Sequence, residues 1–196
     1  MEYYPMANPC LNIIYDDRNF DRLPYLLEEC ERYGIEYKIW AACIDKKTVL
    51  ESITESFRQI IQWAKDEGLK EVMIGEDDLT FPCNGAWEYF LKNKPNDFDV
   101  YVGGSYLIDN RWEYKPPVVK VNEWVGNHLI IVHEKYYDKW LASKPDGHID
   151  TEQSGKGDFY VCFPYAALQR PAKSANCNNQ MVNYNSIVPK EFIYNI

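Results

Sequence analysis

Glu71-Val72-Met73-Ile74-Gly75-Glu76-Asp77-Asp78 is the stretch on which the fold turns. An apolar run of strand length that passes without a break into three carboxylates reads as a buried strand whose carboxyl end meets a polar site. Upstream, residues 48–67 place Val49, Ile53, Phe57, Ile60, Ile61 and Ala64 at helical spacing, and Gly68 stops the helix. Residues 35–42 alternate as a strand. Residues 20–33 predict a helix closed by Gly34, and residues 10–15 a buried strand entering Asp16-Asp17-Arg18. Downstream the pattern predicts a helix over 85–91, strands over 98–103 and 128–133, a helix over 134–142 and a strand over 159–163. From 175 onward Asn176, Asn178, Asn179, Asn183 and Asn185 predict irregular chain. Strand and helix alternate through the first half. The expected fold is therefore α/β, a mainly parallel sheet flanked by helices, with a small mixed C-terminal part in a single domain over 1–196. Ligands of such sheets sit at the carboxyl ends of the strands, where both acidic turns fall.

Composition narrows the function. The chain has 196 residues, with 21 Lys+Arg against 30 Asp+Glu and a formal net charge of −9. That excess opposes broad, salt-sensitive wrapping of nucleic acid, which needs a basic face. A hydrophobic fraction of 46% supplies a core. Aromatics reach 15%, which serves a core and also suits stacking on flat or sugar-like ligands. Residues 1–9 lack a basic n-region, and no apolar run approaches the ~20 residues of a membrane helix. Six cysteines without a CxxC pair read as reduced thiols in a cytoplasmic setting, with no structural zinc site. No GxGxxG, P-loop, GxSxG or HExxH string is present.

Three constellations can carry chemistry. Adjacent carboxylates at Glu76-Asp77-Asp78 repel one another unless a cation or solvent screens them. Their hard oxygens suit Mg²⁺ or Mn²⁺, whose coordination substrate phosphates often complete. A plain charged loop after a strand is the alternative. At Asp16-Asp17-Arg18, Arg18 can meet a phosphate or a base edge, or simply pair with a carboxylate at the helix start. In the third cluster, His148, Asp150 and Glu152, a carboxylate can act as general base and His148 can ligate a metal. A bare helix start after Pro145-Asp146-Gly147 explains the same residues.

Taken in order, these pieces resemble glycosyltransferase family 25, of the GT-A type. The likeness runs from Ile13-Ile14-Tyr15-Asp16-Asp17-Arg18 with Asp21-Arg22, through Ile39-Trp40-Ala41-Ala42, to Val72-Met73-Ile74-Gly75-Glu76-Asp77-Asp78-Leu79. It continues through Phe98-Asp99-Val100-Tyr101-Val102-Gly103-Gly104, Gly126-Asn127-His128 and Ile149-Asp150. It covers about residues 11 to 170. Phe57 stands where the family has a His, Gly75 where a Leu is usual, and Asn127 where a Thr is usual.

The resemblance implies a Rossmann-related GT-A fold and a metal-dependent glycosyltransferase of the hexosyl or pentosyl kind. It moves a sugar from a nucleotide-sugar donor, UDP-linked, to a hydroxyl acceptor on a glycan or other molecule, by an inverting displacement. Tyr15, Asp16, Arg18, Ala41, Ala42 and Asp77 would hold the donor, and Gly103 and Gly104 would let backbone approach its sugar. Glu76, Asp78 and His148 would hold Mn²⁺ or Mg²⁺. Asp150 would be the base, Glu152 its second, and Trp124 an acceptor platform. The donor half spans about 1–105 and the acceptor half about 106–196. Two alternatives stand beside this reading: a glycosyltransferase acting on DNA bases through Lys115, Lys120, Lys156, Arg170 and Lys173, and a catalytically silent binding module.

Overall fold

The computed structural model describes residues 9–106, 115–145, 147–174, 177 and 180–195. The expectations for residues 1–8, Asp146, Asn176, Asn178 and Asn179 lie outside these. Strands β1 (Leu11–Tyr15), β2 (Tyr37–Ala41), β3 (Glu71–Glu76), β5 (Val100–Val102), β6 (Val118–Val121), β7 (Leu129–His133) and β8 (Phe159–Cys162) form one sheet in the order β2-β1-β3-β7-β5-β8-β6. Five strands run one way; β7 and β6 oppose them. Two two-stranded ladders stand apart: β4 (Leu79–Thr80) with β9 (Leu168–Gln169), and β10 (Ala172–Ser174) with β11 (Gln180–Val182).

The alternation of side chains along each strand feeds two cores. Val72 and Ile74 face one layer with Phe57, Ile60, Ile61 and Ala64 of α2 (Val49–Asp66) and Trp140 of α4 (Tyr137–Leu141). Met73 faces the other with Leu26 and Cys30 of α1 (Leu23–Tyr33) and Trp87 and Phe90 of α3 (Ala86–Lys92). Helices thus cover both faces of the sheet. Trp124 also belongs to the first core, fully buried, edge-on to Phe159 and donating to Asn127 Oδ1. It is packing, and the expected acceptor platform is corrected.

Local chemistry sets the helix ends. Thr48 caps α2 by accepting from the Glu51 amide, while Glu51 reaches back to the Lys47 amide. Gly34 closes α1 in the left-handed region. The helix expected over 134–142 divides into a 3₁₀ turn, Glu134–Tyr136, and the short α4. Strand β6 and the β10–β11 hairpin were not expected; the chain thought irregular after 175 supplies β11 and a 3₁₀ turn at Tyr184–Ile187.

Register then builds the site. Ile14 lies level with Glu76 and Trp40, so Asp16, Ala42 and Asp77 follow from three adjacent parallel strands at one end of the sheet. Residues 169–174 and 180–184 return across that end.

Candidate functional site

A cleft of about 300 Å³ opens at these carboxyl ends. Its walls include Asp16, Arg18, Arg22, Ala42, Lys46, Lys47 and Thr48, its floor Glu76, Asp77 and Asp78, and its far side Gln169, Lys173 and Tyr184. The acidic triplet is therefore not a solvated loop. Asp77 and Asp78 are both only 5% exposed.

Arg22, at the foot of α1, answers the charge. Its Nη1 donates to Asp77 Oδ1 at 2.9 Å and lies 3.4 Å from Asp78 Oδ2, and its Nη2 donates to the Lys173 carbonyl of β10. Asp77 Oδ2 accepts from the Asp16 amide at 3.2 Å. Asp78 Oδ2 accepts from Gln169 Nε2 at 2.7 Å, whereas its Oδ1 is buried and has no hydrogen-bond partner among the described residues. Burial is the first cause that raises the carboxyl pKa values here. It pushes Asp78 up to about 7, with Asp77 adding to the rise and Arg22 opposing it. Glu76 is raised by burial and then by Asp78, Asp77 and Asp150, and Asp77 by burial against the pull of Arg22. Burial depresses Arg22, but the three carboxylates more than offset it and hold the guanidinium charged.

The buried, unpartnered Asp78 Oδ1 and the neighbouring Glu76 fit a hard divalent cation that keeps positions for phosphate oxygens. The expected third ligand does not join them. Among the described residues no three His, Cys, Asp or Glu side chains converge as a ligand cluster. His148 stands exposed outside the cleft, because its carbonyl opens the 3₁₀ turn at Thr151–Gln153, accepting from the Glu152 amide and Thr151 Oγ1.

The other expected residues divide. Asp16 and Arg18 line the cleft but are bonded to each other, Nη2 to Oδ2 at 2.6 Å, with the Arg18 side chain 57% exposed. Ala42 lines it too. Tyr15 and Ala41 end their strands beside it, their carbonyls taken by the Ala42 amide and Gln59 Nε2. At Gly103 and Gly104 the close approach is made by the chain itself: a Cβ on Gly104 would lie 2.2 Å from the Ala167 carbonyl oxygen, and one on Gly103 2.8 Å from the Ala167 Cβ. No room remains there for a sugar, which corrects that expectation. Asp150 is buried, with Oδ2 accepting from the Gly126 amide and Oδ1 from the Thr151 amide, both at 2.8 Å. Its charge still reaches Glu76. Glu152 lies on the next turn, 3.7 Å from Lys156.

Of the cations assigned to a DNA groove, Lys120 and Lys156 are in ion pairs with Asp158 and Glu152, and Arg170 lies over the Tyr25 ring. Sequence reasoning passed over Arg22 as a site residue in favour of the more exposed Arg18, although both follow the same strand end. Gln169 carries no local signal: it is 91 positions from Asp78 in the chain.

Solved structures bear on the fold. The A197 protein from STIV has a TM-score of 0.53 at 15% identity, over 89% of this chain and 93% of that one. That likeness shows the fold. Weaker likenesses include a glycosyltransferase involved in the glycosylation of the major capsid of PBCV-1 (TM-score 0.38, 14% identity, 67% of this chain and 64% of that one). Another is a Drosophila beta-1,4-galactosyltransferase 7 mutant in complex with manganese, UDP-Gal and xylobiose (0.41, 13%, 68% and 52%). These two set nothing further for this chain. No protein-family model matches the sequence. No curated protein matches it either.

Proposed function

We propose that the chain is a GT-A-type glycosyltransferase, akin to glycosyltransferase family 25, that moves a sugar from a UDP-linked donor to a hydroxyl acceptor. The observation that carries this reading is the cleft at the carboxyl ends of β1, β2 and β3, floored by Asp78 with one buried oxygen lacking a partner. Asp78 and Glu76 would hold Mn²⁺ or Mg²⁺, which when bound neutralises the charge of a departing nucleoside diphosphate. Arg22 donates to Asp77 and opposes the rise that burial imposes on its carboxyl, so the acidic floor is held in one geometry. Arg18, exposed on the wall, is placed to turn from Asp16 toward a phosphate. Asp150, held by two backbone amides, is the proposed base for the acceptor hydroxyl.

Thermal unfolding across a panel of nucleotide sugars, with and without Mn²⁺, tests the reading. A donor present at about a hundred times its Kd stabilises by about 2.7 kcal/mol, which for a chain of this size raises Tm by roughly 5 to 10 °C. UDP-sugars with Mn²⁺ are expected to give that shift, and Asp78→Asn to abolish it while still folding. Flat melting curves for every nucleotide sugar, in the presence of Mn²⁺, overturn it.

A further inference from the structure

The two oxygens of Asp78 are treated differently by the fold, and the difference traces to Gln169. Oδ2 takes Gln169 Nε2 at 2.7 Å and has Arg22 Nη1 at 3.4 Å; Oδ1, buried, has no partner among the described residues. Gln169 is itself pinned. Its backbone pairs with Leu79 in the β4–β9 ladder, the next amide, that of Arg170, donates to the Asp78 carbonyl at 2.6 Å, and Asn185 Nδ2 donates to the Gln169 carbonyl at 2.8 Å.

The orientation of the Gln169 amide is fixed from behind. Tyr106 Oη donates to Gln169 Oε1 at 2.8 Å, and the hydroxyl has one proton to give. His128 explains where it goes. Nε2 of His128 lies 3.1 Å from the Ala167 carbonyl, which only accepts, so Nε2 carries the ring hydrogen and Nδ1 is a bare acceptor. That acceptor is 3.5 Å from Tyr106 Oη, so the shorter contact to Gln169 takes the proton. A reversed amide would set the Gln169 oxygen against the Asp78 carboxylate, oxygen against oxygen, and would give up the short bond from Tyr106. The seat of Tyr106 is equally specified. Gly126 sits at φ 106°, and a Cβ there would come within 2.9 Å of the Tyr106 ring.

We propose that Gln169 is a positioning residue for Asp78, oriented by Tyr106, and that together they commit Oδ2 and leave Oδ1 as a single preset oxygen ligand for a divalent cation. This rests on the metal reading above and goes beyond it by naming the oxygen and what holds it. Neither residue touches the ion. Partners of this outer kind change metal affinity by about 10- to 100-fold when removed.

The experiment measures the affinity for Mn²⁺ alone, from the paramagnetic resonance signal of the free ion, in wild type, Q169M, Y106F, the double variant and D78N. Metal-free melting is recorded for each. We expect Q169M to weaken Mn²⁺ about tenfold and Y106F about threefold. The double variant should match Q169M, because Tyr106 acts only through Gln169; a merely structural loss would instead multiply and lower metal-free Tm. Wild-type affinity in both Q169M and Y106F overturns the inference while D78N, still deficient, keeps the metal reading. Equal affinity in wild type and D78N, or none in either, overturns both. A double variant weakened about thirtyfold overturns the route through Gln169. Should Q169M fail to fold, Y106F decides: unchanged affinity in that variant overturns the inference.

Discussion

Arg22 and Asp78 show how a single side chain decides what a strand end can do. Three carboxylates in a row are tolerable in the folded chain because one guanidinium spans Asp77 and Asp78 from a half-buried position. Breaking a buried pair by deleting one partner leaves uncompensated charge and typically costs 3–5 kcal/mol. Arg22→Met is therefore expected to lose about 3 kcal/mol at pH 8, read from urea unfolding, whereas Arg18→Met, at an exposed pair, is expected to change stability by less than about 1 kcal/mol. Equal small losses would show that Arg22 is not the counter-ion of the triplet. Gly104 makes a second residue-scale point. Its missing Cβ is the room taken by the Ala167 carbonyl oxygen, 2.2 Å from where that carbon would stand. The obstacle is backbone, so it cannot swing aside, and Gly104→Ala is expected to cost about 3 kcal/mol or more or to prevent folding. A stable Gly104→Ala protein would mean that the 165–168 segment is free to lift from β5.

Elements differ in how plainly the sequence announces them, and the reason is physical. α2 is written in its own residues: an apolar face at helical spacing, a Thr48–Glu51 capping box at one end and a Gly at the other. Thr48→Ala is expected to cost about 1 kcal/mol, lowering Tm by roughly 2 to 4 °C. An unchanged Tm would show that Glu51 and solvent suffice for that helix end. β1 and β3 are as legible, since a strand buried on both faces is a continuous apolar run. β6 was missed because Val118–Val121 is an edge strand of four residues that follows two prolines, its run broken by Lys120. β10 and β11 were missed because neither has a hydrophobic face: their residues are exposed or half-buried, and only pairing with each other makes them strands. The same distinction divides the site. Its acidic floor lies at one strand end and could be read directly, but the groups that give it geometry come from β9, from Tyr106 and from the foot of α1, long-range contacts that leave no local pattern. Gly103-Gly104 misled for a related reason. A glycine pair shows that something comes close without showing whether that thing is a ligand or the chain.

At the scale of the whole molecule, the sheet interleaves the two halves of the chain: β7 lies between β3 and β5, and β8 beyond β5, so the donor and acceptor halves expected from the sequence share one sheet. His128, at the entry to β7, ties that sheet to the returning segment through its bond to the Ala167 carbonyl. Full burial holds its pKa down to about 4, with the Ala167 bond pulling weakly the other way. The unfolded chain, with a histidine near 6.5, therefore binds more protons than the folded one between pH 6.5 and 4. Stability that is fully present above pH 6.5 is lost as pH falls through that window, and the loss ends near pH 4. From the size of the shift it amounts to roughly 3 kcal/mol. The carboxylates of the acidic floor work in the opposite sense, since their raised pKa values make the folded chain gain protons, and stability, over the same range. The measured profile of the wild type is thus a difference of two opposed contributions, and His128→Gln separates them. The stability difference between wild type and His128→Gln, from urea unfolding, is expected to move by roughly 3 kcal/mol in favour of the variant between pH 7.5 and pH 4. A difference that stays constant with pH would show that His128 is protonated, or open to water, within the folded molecule, and that the link between β7 and the returning segment is looser than the bond to Ala167 implies.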